Sequence, residues 1–114
     1  MKKSFLLVIL LATAGVAHAE FLDGNKLLEF MRGNQGEVGL ALGYVTGAAD
    51  TLTGVVTCPP SQANAGQVRD MVRKFLEAYP EHRTASADVI ISAVLQAAWP
   101  CKQRTKTAPP AKII

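Results

Sequence analysis

Histidine, cysteine and aromatic residues are scarce in this sequence, and their scarcity excludes most kinds of catalytic site. The chain has 114 residues with 2 cysteines and 2 histidines, and 6% of its residues are aromatic. Of the two histidines, only His82 lies beyond residue 19. Nucleophilic catalysis needs a nucleophile beside a positioned base, and zinc normally takes three or four Cys, His or carboxylate ligands. We therefore expect a protein that is not an enzyme and holds no metal or cofactor.

An excess of positive charge is also missing from the part of the chain that is expected to fold. All 9 acidic residues but only six of the 12 basic ones lie within residues 20–101. Residues 102–114 contain no acid, and their basic residues are Lys102, Arg104, Lys106 and Lys112. Together with two adjacent prolines, this composition favours a basic, disordered tail. The isoelectric point of about 9.1 is therefore no indication of a nucleic-acid partner.

The first 19 residues have the three parts of a secretory signal peptide. Two lysines follow the first methionine, an unbroken apolar run extends from Phe5 to Leu11, and an Ala-x-Ala cleavage pattern ends at Ala19. The apolar run is shorter than the roughly 20 residues that a membrane span needs. We predict cleavage after Ala19, a periplasmic mature protein and no stable insertion into the membrane.

Two cysteines in an exported chain are expected to pair in an oxidising compartment. A disulfide between Cys58 and Cys101 would close a loop of roughly 40 residues and contribute roughly 4 kcal/mol in the chain-entropy model. The mature chain is small enough to bury only about 60 to 65% of its unfolded surface, so this contribution is a large share of its stability. Two free thiols are the alternative.

Apolar residues recur with a helical period through most of the mature chain, and no strand-like alternation is long enough to compete. Asp23 or Asn25 is placed to cap the first helix, and Asn64 with Gln67 forms a capping-box pattern before the third. The predicted fold class is all-α, a small bundle of four to five helices in a domain that covers residues 20–101. The predicted helices lie at 23–32, 37–56, 65–79 and 85–98.

The second predicted helix is unusual for its glycines. Gly39, Gly43 and Gly47 recur every four residues and so share one face. Each glycine costs a helix up to about 1 kcal/mol relative to alanine, and a row of glycines allows the backbone of a neighbouring helix to come close. Asp50 disfavours a membrane span here, so we predict a buried bundle helix. The fourth helix is apolar on nearly every side and is expected at the centre of the bundle.

Short motifs follow one another in a distinctive order along residues 21–101. They are Phe21, Gly24-Asn25, Leu27-Leu28, Gly43-Tyr44-Val45, Gly47, Asp50, Cys58-Pro59, Gln67, Phe75-Leu76, Pro80, His82-Arg83, Ala87 and Pro100-Cys101. Their order and spacing resemble the Rap/Tai family, periplasmic immunity proteins that neutralise peptidoglycan amidase toxins delivered by type VI secretion. Many members carry a further cysteine pair between the first two helices, where this chain has Met31 and Leu40.

The resemblance implies a protein that binds its toxin tightly and blocks the active-site cleft without chemistry of its own. The implied partner is a peptidoglycan amidase effector, and a homodimer, as in some family members, is an open alternative. We expect the partner to contact the outer face of the third helix and the turn after it. The candidate residues are Arg73, Glu77, Glu81, His82 and Arg83, for which ordinary solvated charge is the competing interpretation.

Two other functions remain open from the sequence. A small periplasmic stress chaperone of the holdase type is also short, helical and closed by one disulfide. A holdase binds many unfolded clients weakly, whereas an immunity protein binds one folded toxin tightly, so the two are distinguishable by experiment. A structural subunit of an envelope complex, with the basic tail as its docking element, is the third hypothesis.

Overall fold

The computed structural model describes residues 21–102, and the regular secondary structure in this range is entirely helical. The bounds are α1 Gly24–Met31, α2 Gln35–Leu52, α3 Ala65–Ala78, a 3-10 turn at Pro80–His82 and α4 Ala87–Ala98. The predicted all-α bundle of four to five short helices is therefore confirmed. The predicted signal peptide, 1–19, and the predicted tail beyond residue 102 lie outside the described residues.

Short polar side chains fix where three of the helices begin. The Asp23 carboxylate accepts a hydrogen bond at 2.7 Å from the backbone amide three residues later. Asn64 does the same at 2.9 Å and Asn34 at 3.0 Å, so Asp23 caps α1 as predicted and Asn64 supplies its half of the predicted capping box before α3. The start of α4 is different, because the Ser86 hydroxyl donates to the Asp88 carboxylate and does not cap the helix.

One apolar core lies between the four helices, and every helix contributes to it. α3 contributes a stripe at every fourth residue, and α2 packs against all three other helices. The core residues are Leu27, Leu28, Met31, Ala41, Val45, Val68, Val72, Leu76, Ala87, Ile90, Ile91 and Leu95. The core-facing side chains of α2 are small, which allows its neighbours to approach it closely.

The glycines of α2 contradict the prediction that they bring a neighbouring helix close. Gly39, Gly43 and Gly47 are exposed, and nothing lies within 4 Å of the position that a β-carbon would occupy at any of them. The close contacts are made by Ala41 and Val45, which are fully buried on another face of the helix. Because the bundle has only four short helices, each helix packs against its neighbours on one side only. α2 and α4 therefore bury a single stripe, although their sequences are apolar nearly all round.

No helix in residues 21–102 combines the length and the apolar character that crossing a membrane requires.

α2 ends at Leu52, earlier than predicted, because the chain turns here toward the end of α4. Gly54 has a left-handed φ of 81°, a conformation that favours glycine. Thr57 is fully buried, and its hydroxyl lies 2.9 Å from the Leu95 carbonyl and 3.0 Å from the Trp99 carbonyl. The turn at 53–57 therefore attaches the end of α2 to the last turn of α4.

The predicted disulfide is formed at the same place. The amide of Cys58 donates to the Trp99 carbonyl at 2.8 Å, and the Cα atoms of Cys58 and Cys101 lie 4.9 Å apart. The bond closes a sequence separation of 43 residues that includes all of α3 and α4. Covalent and hydrogen-bonded contacts thus coincide at one end of the bundle.

Removal of the disulfide, by Cys58→Ser together with Cys101→Ser, is expected to lower the free energy of unfolding by about 2–5 kcal/mol, because the unfolded chain regains the entropy of an open loop. Urea unfolding of the two proteins measures the difference. A native protein treated with a reductant is the control, and it should unfold at the same urea concentration as the variant. An unchanged midpoint would show that the cross-link does not constrain the fold.

Gly24 is the glycine at which close approach does matter. A β-carbon there would lie 2.9 Å from both the Cα and the carbonyl oxygen of Arg83, and 2.7 Å from the Ile90 side chain. We expect Gly24→Ala to destabilise the protein by about 1–3 kcal/mol, because backbone must move to relieve the overlap. Gly43→Ala, the same change in open space, is expected to be neutral or to stabilise by up to about 1 kcal/mol. Equal urea midpoints for the two variants would contradict the predicted contact.

Candidate partner-binding surface

Two of the five candidate residues, Arg73 and Glu77, form an ion pair along the exposed side of α3. The Nε of Arg73 lies 3.1 Å from the Glu77 carboxylate. The same carboxylate oxygen is 3.6 Å from a guanidinium nitrogen of Arg32, at the C-terminal end of α1. Exposed ion pairs contribute roughly 0–1 kcal/mol each, so these contacts determine the charge of the surface more than the stability of the bundle.

His82 belongs to an aromatic cluster that we define as Phe75, Tyr79 and His82. The ring centroids of Phe75 and Tyr79 are 4.9 Å apart, and the His82 ring lies 5.9 Å from each of them. Glu81 stands beside the cluster, with its carboxylate 3.9 Å from the Nε2 of His82. Tyr79 is 46% exposed although it packs against both rings. The cluster therefore presents a supported aromatic side chain to solvent.

The aromatic cluster and the ion pair do not share one side of α3. Phe75 and Tyr79 are four residues apart, as are Arg73 and Glu77, but the two pairs are out of step by two residues. Two residues correspond to roughly 200° around a helix, so the structure divides the predicted surface into two parts. The aromatic cluster and Glu81 lie at the C-terminal end of α3, and the Arg73–Glu77 pair lies on the side that faces α1.

Arg83 holds the turn in place. Its side-chain Nε donates to the carbonyl of Leu76 at 2.6 Å, which satisfies a backbone acceptor in the last turn of α3. Its own carbonyl accepts a hydrogen bond from the Asn25 amide at 2.9 Å, and this bond attaches α1 to the same turn. Arg83 is half-buried, and its side chain attaches the turn that carries Glu81 and His82 to the end of α3.

In the sequence, Phe75 and Tyr79 belong to the apolar stripe of α3 with Val68, Val72 and Leu76, and that pattern gave no indication of their place on the surface. The stripe is real, but it extends beyond the core at its last residue. Tyr79 directly precedes Pro80, where the helix ends, and tyrosine has a polar tip that tolerates water. The position of a tyrosine at the end of an apolar stripe is the signal that could have indicated an exposed contact residue, since tyrosine is enriched at binding hot spots.

Tyr44 is the described residue whose titration the structure shifts. Burial raises the pKa of the Tyr44 hydroxyl above its usual value. The charge of the Asp88 carboxylate raises this pKa further, and a hydrogen bond with the Asp88 backbone lowers it. Tyr44 is thus neutral at physiological pH and packs at the edge of the core. Within residues 21–102, histidine, cysteine and acidic side chains form no group of three that could hold a metal ion.

Arg83→Ala is expected to lower the free energy of unfolding by about 1.5–3 kcal/mol, because the Leu76 carbonyl loses a charge-assisted donor in a partly buried place. Arg73→Ala removes an exposed ion pair from the same helix and is the matched control, with an expected loss below about 1 kcal/mol. Urea unfolding measures both values. An equal or smaller loss for Arg83→Ala would mean that the arginine does not hold the turn.

Comparison with protein families gives a match over the whole bundle. A family model described as Rap1a immunity proteins matches residues 23–101, which include all four helices and both cysteines. The sequence matches no curated protein.

Proposed function

The chain belongs to the Rap1a immunity protein family, and we propose that it protects its own cell by binding a peptidoglycan amidase toxin in the periplasm. The observation that carries the proposal is the family match over residues 23–101, which covers the helical bundle from its first cap to its second cysteine. Immunity proteins of this kind belong to type VI secretion, which delivers the toxin from neighbouring cells. The partner is therefore a folded effector protein.

The compartment follows from the chemistry of the toxin and of this chain. An amidase can cut peptidoglycan only outside the cytoplasmic membrane, so the antidote has to be present there. The sequence begins with the three parts of a signal peptide, and Cys58 and Cys101 form a disulfide, a bond that persists in oxidising compartments. Both features support a periplasmic site of action.

Occlusion of the toxin's cleft is the proposed mechanism, with the aromatic cluster at the centre of the contact. Tyr79 is exposed, but its ring already packs against Phe75 and His82, so little side-chain freedom is lost when a partner covers it. Glu81 supplies charge beside the cluster, which matches the usual arrangement of an apolar contact with a polar rim. The Arg73–Glu77 pair faces α1 on another side of α3 and lies outside the proposed contact. The protein itself performs no reaction in this mechanism.

A binding and inhibition experiment tests the proposal. The exported, oxidised protein is immobilised and exposed to the proteins secreted by the producing cell and by its relatives. We expect one stoichiometric partner whose peptidoglycan amidase activity is lost when the protein is added. Retention of many partly unfolded clients would support the holdase hypothesis, and a partner without amidase activity would overturn the proposed target.

Tyr79→Ala is expected to weaken inhibition of that amidase by at least about 30-fold, the size of effect that defines a hot spot. Leu40→Ala is the matched control, because Leu40 is a large apolar side chain that is 54% exposed on α2. Titration of amidase activity with each variant gives the inhibition constants, and circular dichroism confirms that each variant is folded. A loss confined to Leu40→Ala would place the contact on α2 and refute the aromatic cluster as its centre.

A further inference from the structure

A groove lies between the last turns of α2 and the start of α3, at the opposite end of α3 from the aromatic cluster. Its volume is about 360 Å³. Ala49, Pro59 and Val68 contribute apolar walls, and Asp50 is the charged residue among those that line it. Asp50 is exposed and is not part of the core, so its carboxylate is accessible to a ligand in the groove.

The α2 wall of this groove offers hydrogen-bond acceptors and no side-chain donors. Thr46, Asp50 and Thr53 line it at i, i+4 and i+7, so they share one face of the helix. The Thr46 hydroxyl donates its hydrogen to a backbone carbonyl of α2 at 2.8 Å, and the Thr53 hydroxyl does so at the same distance. A hydroxyl has one hydrogen, and a carboxylate only accepts. The hydrogen-bonding capacity that remains on this wall is that of acceptors, and it is therefore complementary to a ligand that is rich in donors.

The electrostatics of α2 favour a positive ligand at the same place. Asp50 lies in the last turn of α2, where the helix dipole already has its negative end. α2 has no basic residue in its last turn, so the usual compensation by a neighbouring cation is missing from the helix itself. The first turn of α3, with its positive end, lies at the far side of the groove, where Asn64 caps it. A cation beside Asp50 would relieve the unfavourable arrangement.

We propose that this groove binds an arginine side chain that the partner toxin presents. The guanidinium lies against the Asp50 carboxylate and an adjacent threonine hydroxyl, and the aliphatic stem lies along Ala49, Pro59 and Val68. Arginine fits better than lysine because its five donors form a planar fork that can reach acceptors spread along a helix turn, whereas an ammonium group acts as a point charge. Only the identity of the partner rests on the proposed function.

The test uses a short peptide in place of the toxin. The exported, oxidised protein, with its C-terminal tail intact, is labelled with ¹⁵N. It is titrated with acetyl-Gly-Arg-Gly-amide and, separately, with the same peptide in which citrulline, a neutral isostere, replaces arginine. We expect saturable amide shifts at residues 49–53 and 64–68, with binding of the citrulline peptide weaker by at least about tenfold. Absence of saturable shifts at these residues, or equal binding of the two peptides, would overturn the proposal.

Variants identify the group that recognises the cation. Asp50→Asn is expected to weaken binding of the arginine peptide by at least about tenfold, whereas Asp70→Asn, which neutralises an exposed acid on α3 outside the groove, should leave it unchanged. An equal loss of peptide binding in both variants would show that the effect comes from net charge alone, and it would refute the site.

The chain's own basic tail is the competing occupant, and a third variant tests it. If the peptide binds only after Arg104→Gln and Lys106→Gln, the tail fills the groove and an external partner does not. None of these titrations uses the toxin, so the two proposals are tested separately. Failure of the titrations would overturn the arginine site alone, and failure of the amidase inhibition experiment would overturn the proposed function alone.

Discussion

The attachment of the end of α2 to the end of α4 is the constraint on which the rest of this small domain depends. The Thr57 hydroxyl contacts one carbonyl in the last turn of α4 and one directly after that helix, and the disulfide lies one residue further along the chain. The position of α3 follows from this attachment, because Pro59 leaves the cross-link and leads directly to the Asn64 cap. A core of about a dozen mostly medium-sized side chains is sufficient only because the ends of the helices are held in this way.

The two binding surfaces that we infer lie at opposite ends of α3. The aromatic cluster is at its C-terminal end, beside the turn that Arg83 holds, and the groove at Asp50 is at its N-terminal end, beside the disulfide. A 14-residue helix is roughly 21 Å long, which is comparable to the width of a standard protein–protein interface. A single folded partner lying along α3 can therefore contact both ends at once. Occlusion of a cleft and recognition of an arginine are then two parts of one interaction.

The elements of the fold were predictable from the sequence because their causes are local. The stripe of α3 and the caps at Asp23 and Asn64 depend on residues within a few positions of one another, and the pairing of two cysteines leaves one connectivity. The end of α2 was not predictable, because it is determined by Thr57 contacting carbonyls 38 and 42 residues away. The apolar pattern of the sequence predicts that α2 continues to residue 56, whereas the tertiary contact of Thr57 ends the helix earlier.

The candidate site was only partly predictable, for a related reason. Charged residues on an outer helix face are easy to find, but the aromatic cluster depends on the short 3-10 turn, which brings His82 against Phe75. The structural use of Arg83 depends on the same turn. The family match covers residues 23–101 and does not indicate which of them contact a partner, so the partner-binding residues remain predictions.

The exposed glycines of α2 have a consequence for motion. Where Gly39, Gly43 and Gly47 face water, no side chain covers the helix backbone, and the hydrogen bonds of that face are accessible to solvent. Each glycine also gains more conformational freedom than any other residue when a turn of helix opens. Local opening should therefore begin on this face, and amide hydrogens there should exchange with solvent well before those of Val72 or Ile91 in the core. α2 packs against the other three helices on its inner side, and its outer side is where we expect the helix to open first.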